Sequence, residues 1–147
     1  MRGKPITDAA VAVVLMDKGD SYVVLGRHPD DRTFVGLCLP GGKLEPDEMA
    51  ESAVVREVKE ETGFDIRLVG KLGEYESDIA GKPFRIYGFV AIRVGGDSVE
   101  FPNREHARMQ VFNRGHNAFG LDSISYRIVG DFFGEDAGYN VRYKTLD

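Results

Sequence analysis

The segment GGKLEPDEMAESAVVREVKEETGF, Gly41–Phe64, constrains this chain most, because it predicts a helix that carries a cluster of acids. Good helix formers fill residues Glu48 to Glu61. Gly63 follows, where a left-handed glycine commonly ends a helix. Pro46 and Asp47 precede the run, and Asp47 is predicted to cap the N-terminus of the helix. The segment therefore predicts a glycine-rich turn that leads directly into a helix.

Three glutamates near the C-terminal end of this helix are predicted to share one face. On a period of 3.6 residues, Glu57, Glu60 and Glu61 fall at positions i, i+3 and i+4. Val55 and Val58 fall on another side, where they can pack on a sheet. We therefore expect an acidic face that is separate from the packing face. Like charges at this spacing destabilise a helix by a few tenths of a kcal/mol per pair, and the helix dipole disfavours them there.

A bound divalent cation would remove this repulsion. Mg²⁺ accepts a few carboxylate oxygens and keeps coordination positions for water and for substrate phosphates. The alternative is a solvated acidic face with no function, which is common on helices. The local charge pattern alone leaves both interpretations open.

The rest of the chain predicts strands and one further helix around the acidic segment. The predicted strands are Val11–Met16, Ser21–Arg27, Leu37–Leu39, Ile66–Glu76, Phe84–Val94 and Met109–Phe112, with a last one in the tail that contains Val141, Tyr143 and Leu146. Leu121–Phe133 is predicted as a second amphipathic helix. Strands with two interposed helices favour a mixed sheet with helices packed on it. We predict a single domain over residues 1–147.

Charge and cysteine content narrow the expected partners and location. The net charge is −5, which argues against a nucleic-acid polymer or an anionic membrane as the main partner, since both attract basic surfaces. The apolar run Ala9–Met16 is too short to span a bilayer. The single cysteine, Cys38, cannot form an internal disulfide, which favours a reducing cytoplasm. Cys38 is expected to be a small buried side chain and not a nucleophile.

The glutamates belong to a longer pattern that begins at Gly42. The order is Gly42, five residues, Glu48, seven residues, Arg56-Glu57-Val58, one residue, Glu60-Glu61, one residue, Gly63-Phe64. This resembles the signature of the Nudix hydrolase family, of the MutT-like kind: G-x5-E-x7-R-E-U-x-E-E-x-G-U, with U a bulky apolar residue. Every specified position is met. The resemblance implies an α/β fold, the Nudix α/β/α sandwich with a mixed β-sheet. It also implies hydrolysis of a nucleoside diphosphate linked to another moiety.

The resemblance further implies a metal site. Glu57, Glu60 and Glu61, together with the carbonyl of Gly42, would bind Mg²⁺, with Mn²⁺ as an alternative. Glu60 or Glu61 could be the general base. Glu105, in the stretch NREHAR, is a second candidate for the base or for a further metal ligand, and its alternative is a loop surface charge.

Residues outside the carboxylate set have less specific expected roles. The resemblance implies that Glu48 and Arg56 form a structural pair in which Arg56 fixes the loop against the helix; their alternative is a pair of exposed charges. Arg27 and Lys43 are candidates for phosphate binding, and each could equally be a solvated surface charge. Phe34 could stack on a base, although aromatic residues at strand positions are more often part of a core.

We expect a small-molecule nucleotide substrate, with a (deoxy)nucleoside triphosphate or a nucleotide sugar in first place, and a monomer or homodimer. The alternative function is a catalytically silent nucleotide-sensing or interaction domain of the same fold. Such a domain would be free to lose carboxylates of the signature, and none is lost here. His28, His106 and His116 show no ligand spacing and are expected in loops or at the surface. Many family members carry Trp before Pro-Gly-Gly, whereas this chain reads GLCLPGG.

Overall fold

The computed structural model describes residues 4–16, 19–28, 36–113, 120–134 and 144–145. Within these residues the strands are β1 (Thr7–Met16), β2 (Ser21–Gly26), β3 (Leu37–Cys38), β4 (Gly41–Lys43), β5 (Asp65–Ile79), β6 (Lys82–Gly95), β7 (Arg108–Asn113) and β8 (Lys144–Thr145). The helices are α1 (Ala50–Thr62) and α2 (Ser123–Phe133). Neither helix in the described ranges is long and apolar enough to cross a membrane.

The strands form one mixed sheet with β1 near its centre. The strand order is β3-β2-β1-β6-β5-β8, while β4 also pairs with β1 and β7 pairs with β2. β1 runs parallel to β6 and antiparallel to β2 and β4. The nearly continuous apolar sequence of β1 suits this central position, because both faces of the strand are covered. The prediction of a mixed sheet is confirmed.

The two helices cover opposite faces of the sheet. Successive side chains of a strand point to opposite faces, so Val13 of β1 joins the core cluster that contains Ile128 of α2. Its neighbour Val14 joins the cluster that contains Val58 of α1 and Phe89 of β6. All five side chains are fully buried. The architecture is therefore the expected α/β/α sandwich.

The start of α1 differs from its prediction, whereas its end agrees. The helix begins at Ala50, and its N-cap residue is Met49, which makes no side-chain capping bond. The prediction that Asp47 caps the helix is wrong, because residues 45–48 form a separate turn in which Asp47 has a φ of +64°. The predicted C-terminal glycine is confirmed: Gly63 has a φ of +85°, and its N–H bonds back to the last turn.

The buried face of α1 also differs from its prediction. Val55 is 38% exposed, so its expected packing on the sheet is wrong. Val54 and Val58 pack there, and Glu61 is turned to the same side with only 9% exposure. Each helical residue is rotated by about 100° from the previous one, which leaves Glu60 outside the buried sector. The expected separation of acidic and packing faces is therefore wrong for Glu61.

The remaining elements follow the sequence pattern closely, with a few differences. The strand β4 was not predicted, and it occupies the glycine turn that was expected only to end β3. Cys38 is buried as predicted, and burial raises the pKa of its thiol to about 12, which excludes a thiolate nucleophile at neutral pH. In the tail, Lys144–Thr145 pairs with β5. Val141, Tyr143 and Leu146 lie outside the described residues.

Candidate active site

Two glycines bring the turn before α1 against the central strand. Gly41 pairs with Val11 and Gly42 with Ala10. A Cβ atom on Gly41 would lie 2.1 Å from the carbonyl oxygen of Ala10, so only glycine allows this approach. A Cβ atom on Gly42 would lie 2.5 Å from the carboxylate carbon of Glu57. The sequence Gly41-Gly42 therefore places the Glu57 carboxylate directly on the backbone of β4.

Arg56 gathers three glutamates on the outer side of the helix. Its guanidinium donates two hydrogen bonds to Glu48, at 2.9 and 2.8 Å, and one to Glu57 at 3.0 Å. The same nitrogen that contacts Glu57 lies 3.3 Å from Glu60, and another donates to the carbonyl of Lys43 at 3.3 Å. The hydrogen bonds from Arg56 hold the pKa of Glu48 at about 2. This arrangement ties the turn before α1 to the middle of the helix.

Glu61 points inward and has different surroundings. Its Oε1 atom accepts a hydrogen bond of 2.8 Å from the N–H of Gly41. Its Oε2 atom lies 3.6 Å from Nε2 of His106. Burial raises the pKa of Glu61 to about 8, the nearby charges of Glu57 and Glu105 add to the rise, and the Gly41 hydrogen bond opposes it. The positive charge of Arg27 also opposes the rise, but it does not cancel the effect of burial.

A compact loop places Glu105 and His106 next to Glu61. The side-chain oxygen of Asn103 accepts hydrogen bonds of 3.0 Å from the backbone N–H groups of both Glu105 and His106. His28 contacts the carbonyl of Asn103 at 2.6 Å, and the residue after His106 bonds to the end of β2. These contacts fix the loop relative to the sheet. One ligand atom each from Glu61, Glu105 and His106 lies within 4.8 Å of the others.

His106 is the residue of this group that sequence reasoning missed. It lies in a loop, as expected, but it is 3% exposed, so an expectation of a surface position is wrong for it. Burial and the charge of Arg27 lower the pKa of His106, which favours a neutral imidazole with a free lone pair. The available signal was its adjacency to Glu105 in the stretch REHAR.

A cavity of about 400 Å³ adjoins this group. Arg27, Lys43 and Glu61 contribute charged groups to its lining. Its apolar lining comes from β1, β5, β6 and α2: Ala9, Val11, Ile79, Phe84, Ile86 and Ile124. Asp122, whose side chain caps α2 by accepting a 2.7 Å hydrogen bond from Ser125, also reaches the wall, and burial raises its pKa. A cavity of this size and mixed lining is typical of a small-molecule site.

The structure thus divides the predicted site residues into three groups. Glu48, Arg56, Glu57 and Glu60 lie together on the outer side of α1, with the carboxylate of Glu57 against Gly42. Glu61 and Glu105 come together at the inner side. Arg27 and Lys43 line the cavity. Phe34 and His116 lie outside the described residues.

The donor set around Glu61 fits a divalent cation. The Oε2 atom of the buried Glu61 receives no hydrogen bond within the described chain, because His106 is too distant to donate one. Glu105 adds an exposed carboxylate within reach of the same point. Carboxylate oxygens are the ligands that Mg²⁺ and Mn²⁺ accept in proteins. An ion here would offset the charge that raises the pKa of Glu61.

Comparisons with known proteins identify the family of the chain. Residues 6–122 match the family model of the NUDIX domain. The ADP-ribose pyrophosphatase of Methanocaldococcus jannaschii is 40% identical over 68 residues, which cover 46% of this chain and 40% of that protein. The CTP pyrophosphohydrolase of Escherichia coli is 28% identical over 71 residues, which cover 48% of this chain and 53% of that protein.

The solved structures extend the similarity over nearly the whole chain. A NUDIX hydrolase from Nitrosomonas europaea is 26% identical with a TM-score of 0.74, covering 95% of this chain and 93% of that one. The curated relatives are matched over shorter stretches, between 17% and 53% of their own lengths. The family-model match covers most of the chain and includes every residue of the glutamate signature. This chain therefore belongs to the Nudix family.

Proposed function

We propose that this protein is a divalent-metal-dependent hydrolase that cleaves the pyrophosphate bond of a nucleoside diphosphate linked to another moiety. The observation that carries the proposal is the buried Glu61, held between Gly41 and the loop of Glu105 and His106 at the wall of the cavity. Burying an acid beside other acids is costly for a fold. The arrangement becomes favourable when a cation and a phosphate chain bind there.

The ion would be held by Glu61 and Glu57, with Gly42 and Glu60 as the further ligands that the family signature suggests. A bound divalent ion neutralises phosphate charge and lowers the pKa of a bound water. The chain itself must then accept the proton of the attacking water. Glu60 and Glu105 are both exposed, so each can exchange that proton with solvent. They are our two candidates for the general base.

The cavity lining supports a nucleotide as the substrate. Arg27 and Lys43 would meet the negative charge of the phosphates, next to Glu61. The apolar walls that include Phe84 and Ile124 would cover a base or sugar. The two named relatives act, by their names, on a sugar-linked nucleotide and on a nucleoside triphosphate. We propose (deoxy)nucleoside triphosphates and nucleotide sugars as the two substrate classes to test first.

A substrate panel with product analysis tests the proposal. The purified full chain would be incubated with nucleoside triphosphates, ADP-ribose and other nucleotide sugars in Mg²⁺ or Mn²⁺, and products would be resolved by chromatography. We expect a nucleoside monophosphate from at least one substrate, and no product when EDTA removes the metal. The product pair identifies which phosphoric anhydride is cleaved.

The silent nucleotide-sensing domain makes the opposite prediction for the same panel. It would bind a nucleotide tightly in a calorimeter and form no nucleoside monophosphate from any member of the panel. That result would show that the site senses nucleotides and does not hydrolyse them.

A further inference from the structure

We propose that His106 is itself a ligand of the divalent ion, so that the site combines one nitrogen donor with its carboxylates and prefers Mn²⁺ to Mg²⁺. The inference deepens the proposed function and rests on it, since it concerns the ion of the same site. The signature implies only oxygen ligands. The nitrogen donor comes from the loop outside the signature.

The buried imidazole of His106 has unused hydrogen-bonding capacity. The residue is 3% exposed, and its Nδ1 atom is buried with no hydrogen-bond partner. Its Nε2 atom has one polar contact in the described residues, with Glu61 at 3.6 Å. That distance is beyond hydrogen-bonding range. The ion is assigned to Nε2, the nitrogen that faces the carboxylate of Glu61, and Nδ1 would then carry the ring proton.

The spacing of the donors matches ligands that share one cation. At metal–ligand distances of about 2.1 Å, adjacent ligands lie about 3.0 Å apart and opposite ligands about 4.2 Å apart. The separation of 3.6 Å between Glu61 Oε2 and His106 Nε2 falls between these values. The atom contributed by Glu105 lies within 4.8 Å of the other two, and the exposed side chain of Glu105 can move closer when an ion binds. A direct hydrogen bond would require a shorter distance, and simple apolar packing would not bring a carboxylate to the ring nitrogen.

Both buried donors are held in place before any ion arrives. Glu61 uses Oε1 for the N–H of Gly41, so Oε2 is the oxygen that faces His106. The backbone of His106 is fixed on both sides, because its N–H donates to the Asn103 side chain and its carbonyl accepts from the Asn103 N–H. An ion that binds here would therefore meet preformed ligands and would require little reorganisation of the chain.

A nitrogen ligand changes which ion the site favours. Carboxylate and water ligands suit Mg²⁺, Ca²⁺ and Mn²⁺ alike, whereas imidazole suits transition metals. Mg²⁺ is a hard cation that prefers oxygen. We expect Mn²⁺ to bind more tightly than Mg²⁺ for this reason. We also expect the difference to depend on His106.

Pulsed electron paramagnetic resonance of the Mn²⁺-loaded full chain tests the proposal directly. A coordinated imidazole gives nitrogen modulation of the manganese signal, and growth with ¹⁵N-histidine replaces the ¹⁴N pattern by the ¹⁵N pattern. We expect this change in the wild type and loss of the modulation in His106→Gln. His28→Gln removes a histidine outside the donor group, and because glutamine can still donate a hydrogen bond to the carbonyl of Asn103, this variant is expected to retain the modulation.

Metal titration of the same proteins gives the second readout. His106→Gln is expected to lower Mn²⁺ affinity by about tenfold and to change Mg²⁺ affinity much less. If the wild type binds Mn²⁺ without nitrogen modulation, or if the modulation persists in folded His106→Gln, the inference fails and the proposed function stands. If the wild type binds neither ion, with or without nucleotide, both fail. The labelling experiment on the wild type tests for a histidine ligand even if His106→Gln does not fold.

Discussion

Two charged clusters lie next to α1, and their carboxylates have different surroundings. The outer cluster consists of Arg56, Glu48, Glu57 and Glu60, and the inner cluster of Glu61, Glu105 and His106. In the outer cluster the hydrogen bonds from Arg56 lower the pKa of Glu48 to about 2. In the inner cluster burial raises the pKa of Glu61 to about 8. Arg56 therefore favours the ionised form of Glu48, whereas burial favours the protonated form of Glu61 and also raises the pKa of Glu57 in the outer cluster.

The difference separates the Arg56–Glu48 pair, which is structural, from Glu61 at the proposed ion site. The side chain of Arg56 is 26% exposed, and its guanidinium supplies the outer cluster with positive charge and contacts Glu48 in bidentate geometry. In the inner cluster Arg27 only partly compensates the burial of Glu61, and the lowered pKa of His106 favours a neutral imidazole. Proteins retain such uncompensated groups mainly at functional sites. The predictions below exploit this contrast, from the largest expected effect to the smallest.

Glu61→Gln is expected to have the largest effect on activity. Removal of the inner carboxylate takes away the charge that holds the ion, and we expect kcat/KM to fall by about 10³-fold. The measurement is the initial rate on the best substrate of the panel in Mg²⁺. Glu51→Gln is the matched control, since it makes the same change in the first turn of α1, away from both clusters. Equal activity of the two variants would reject the central role of Glu61.

Glu105→Gln is expected to reduce kcat by about 10²-fold while KM changes little. The loop turn depends on the backbone N–H of this residue and not on its carboxylate, so the variant should keep the loop conformation. Arg104→Gln, at the neighbouring loop position, is the control for a general loss of charge. If Glu105→Gln is fully active and Glu60→Gln is not, the general base is Glu60.

The metal-free protein is expected to lose stability relative to Glu61→Gln as the pH rises. The folded pKa of Glu61 is about 8 and its ordinary value 4.5, so between these values the folded state holds a proton that the unfolded state has released. The free energy of unfolding of the wild type should fall relative to the variant by at most about 1.4 kcal/mol per pH unit. Urea unfolding in EDTA from pH 5 to pH 8 measures the difference. A constant or opposite difference would show that Glu61 is ionised without metal.

The Arg56–Glu48 pair of the outer cluster is expected to affect activity least and to contribute mainly to stability. Arg56→Lys keeps the charge but loses the bidentate contact with Glu48, and we expect the melting temperature to fall by a few degrees. The folded pKa of Glu48 lies below its ordinary value, so this contribution should be present at neutral pH and lost as the pH falls from about 4.5 towards 2. Thermal melts of both proteins across this range measure it. Loss of Mg²⁺ binding in Arg56→Lys with an unchanged melting temperature would contradict the assignment.

The sequence predicted the outer cluster better than the inner one. Helical period alone brings Arg56 and Glu60 together, because they lie one turn apart. The period does not reveal which side of α1 the sheet covers, and for that reason Val55 and Glu61 were assigned to the wrong sides. The prediction that Asp47 caps α1 was wrong because Asp47 takes part in a turn with a positive φ, and such a turn competes with helix capping at the same residue.

The inner cluster depends on contacts between distant parts of the chain. Glu61 and His106 meet only because the loop after β6 folds back through Asn103 and the end of β2. No local pattern contains that information, although the pair Glu105-His106 marks the loop as unusual. The strand β4 was missed similarly, because two glycines become a strand only through pairing with β1. The fold class was accessible from pattern and signature, whereas the exact donor set required the tertiary structure.

Calorimetric titration of Mg²⁺ and Mn²⁺ into the wild type, Glu61→Gln and Glu51→Gln tests the central claim most directly. The account predicts that the wild type and Glu51→Gln bind the ions with equal affinity, and that Glu61→Gln loses binding by tenfold or more. Equal affinities in all three proteins would contradict it, because the inner carboxylate would then have no part in holding the ion.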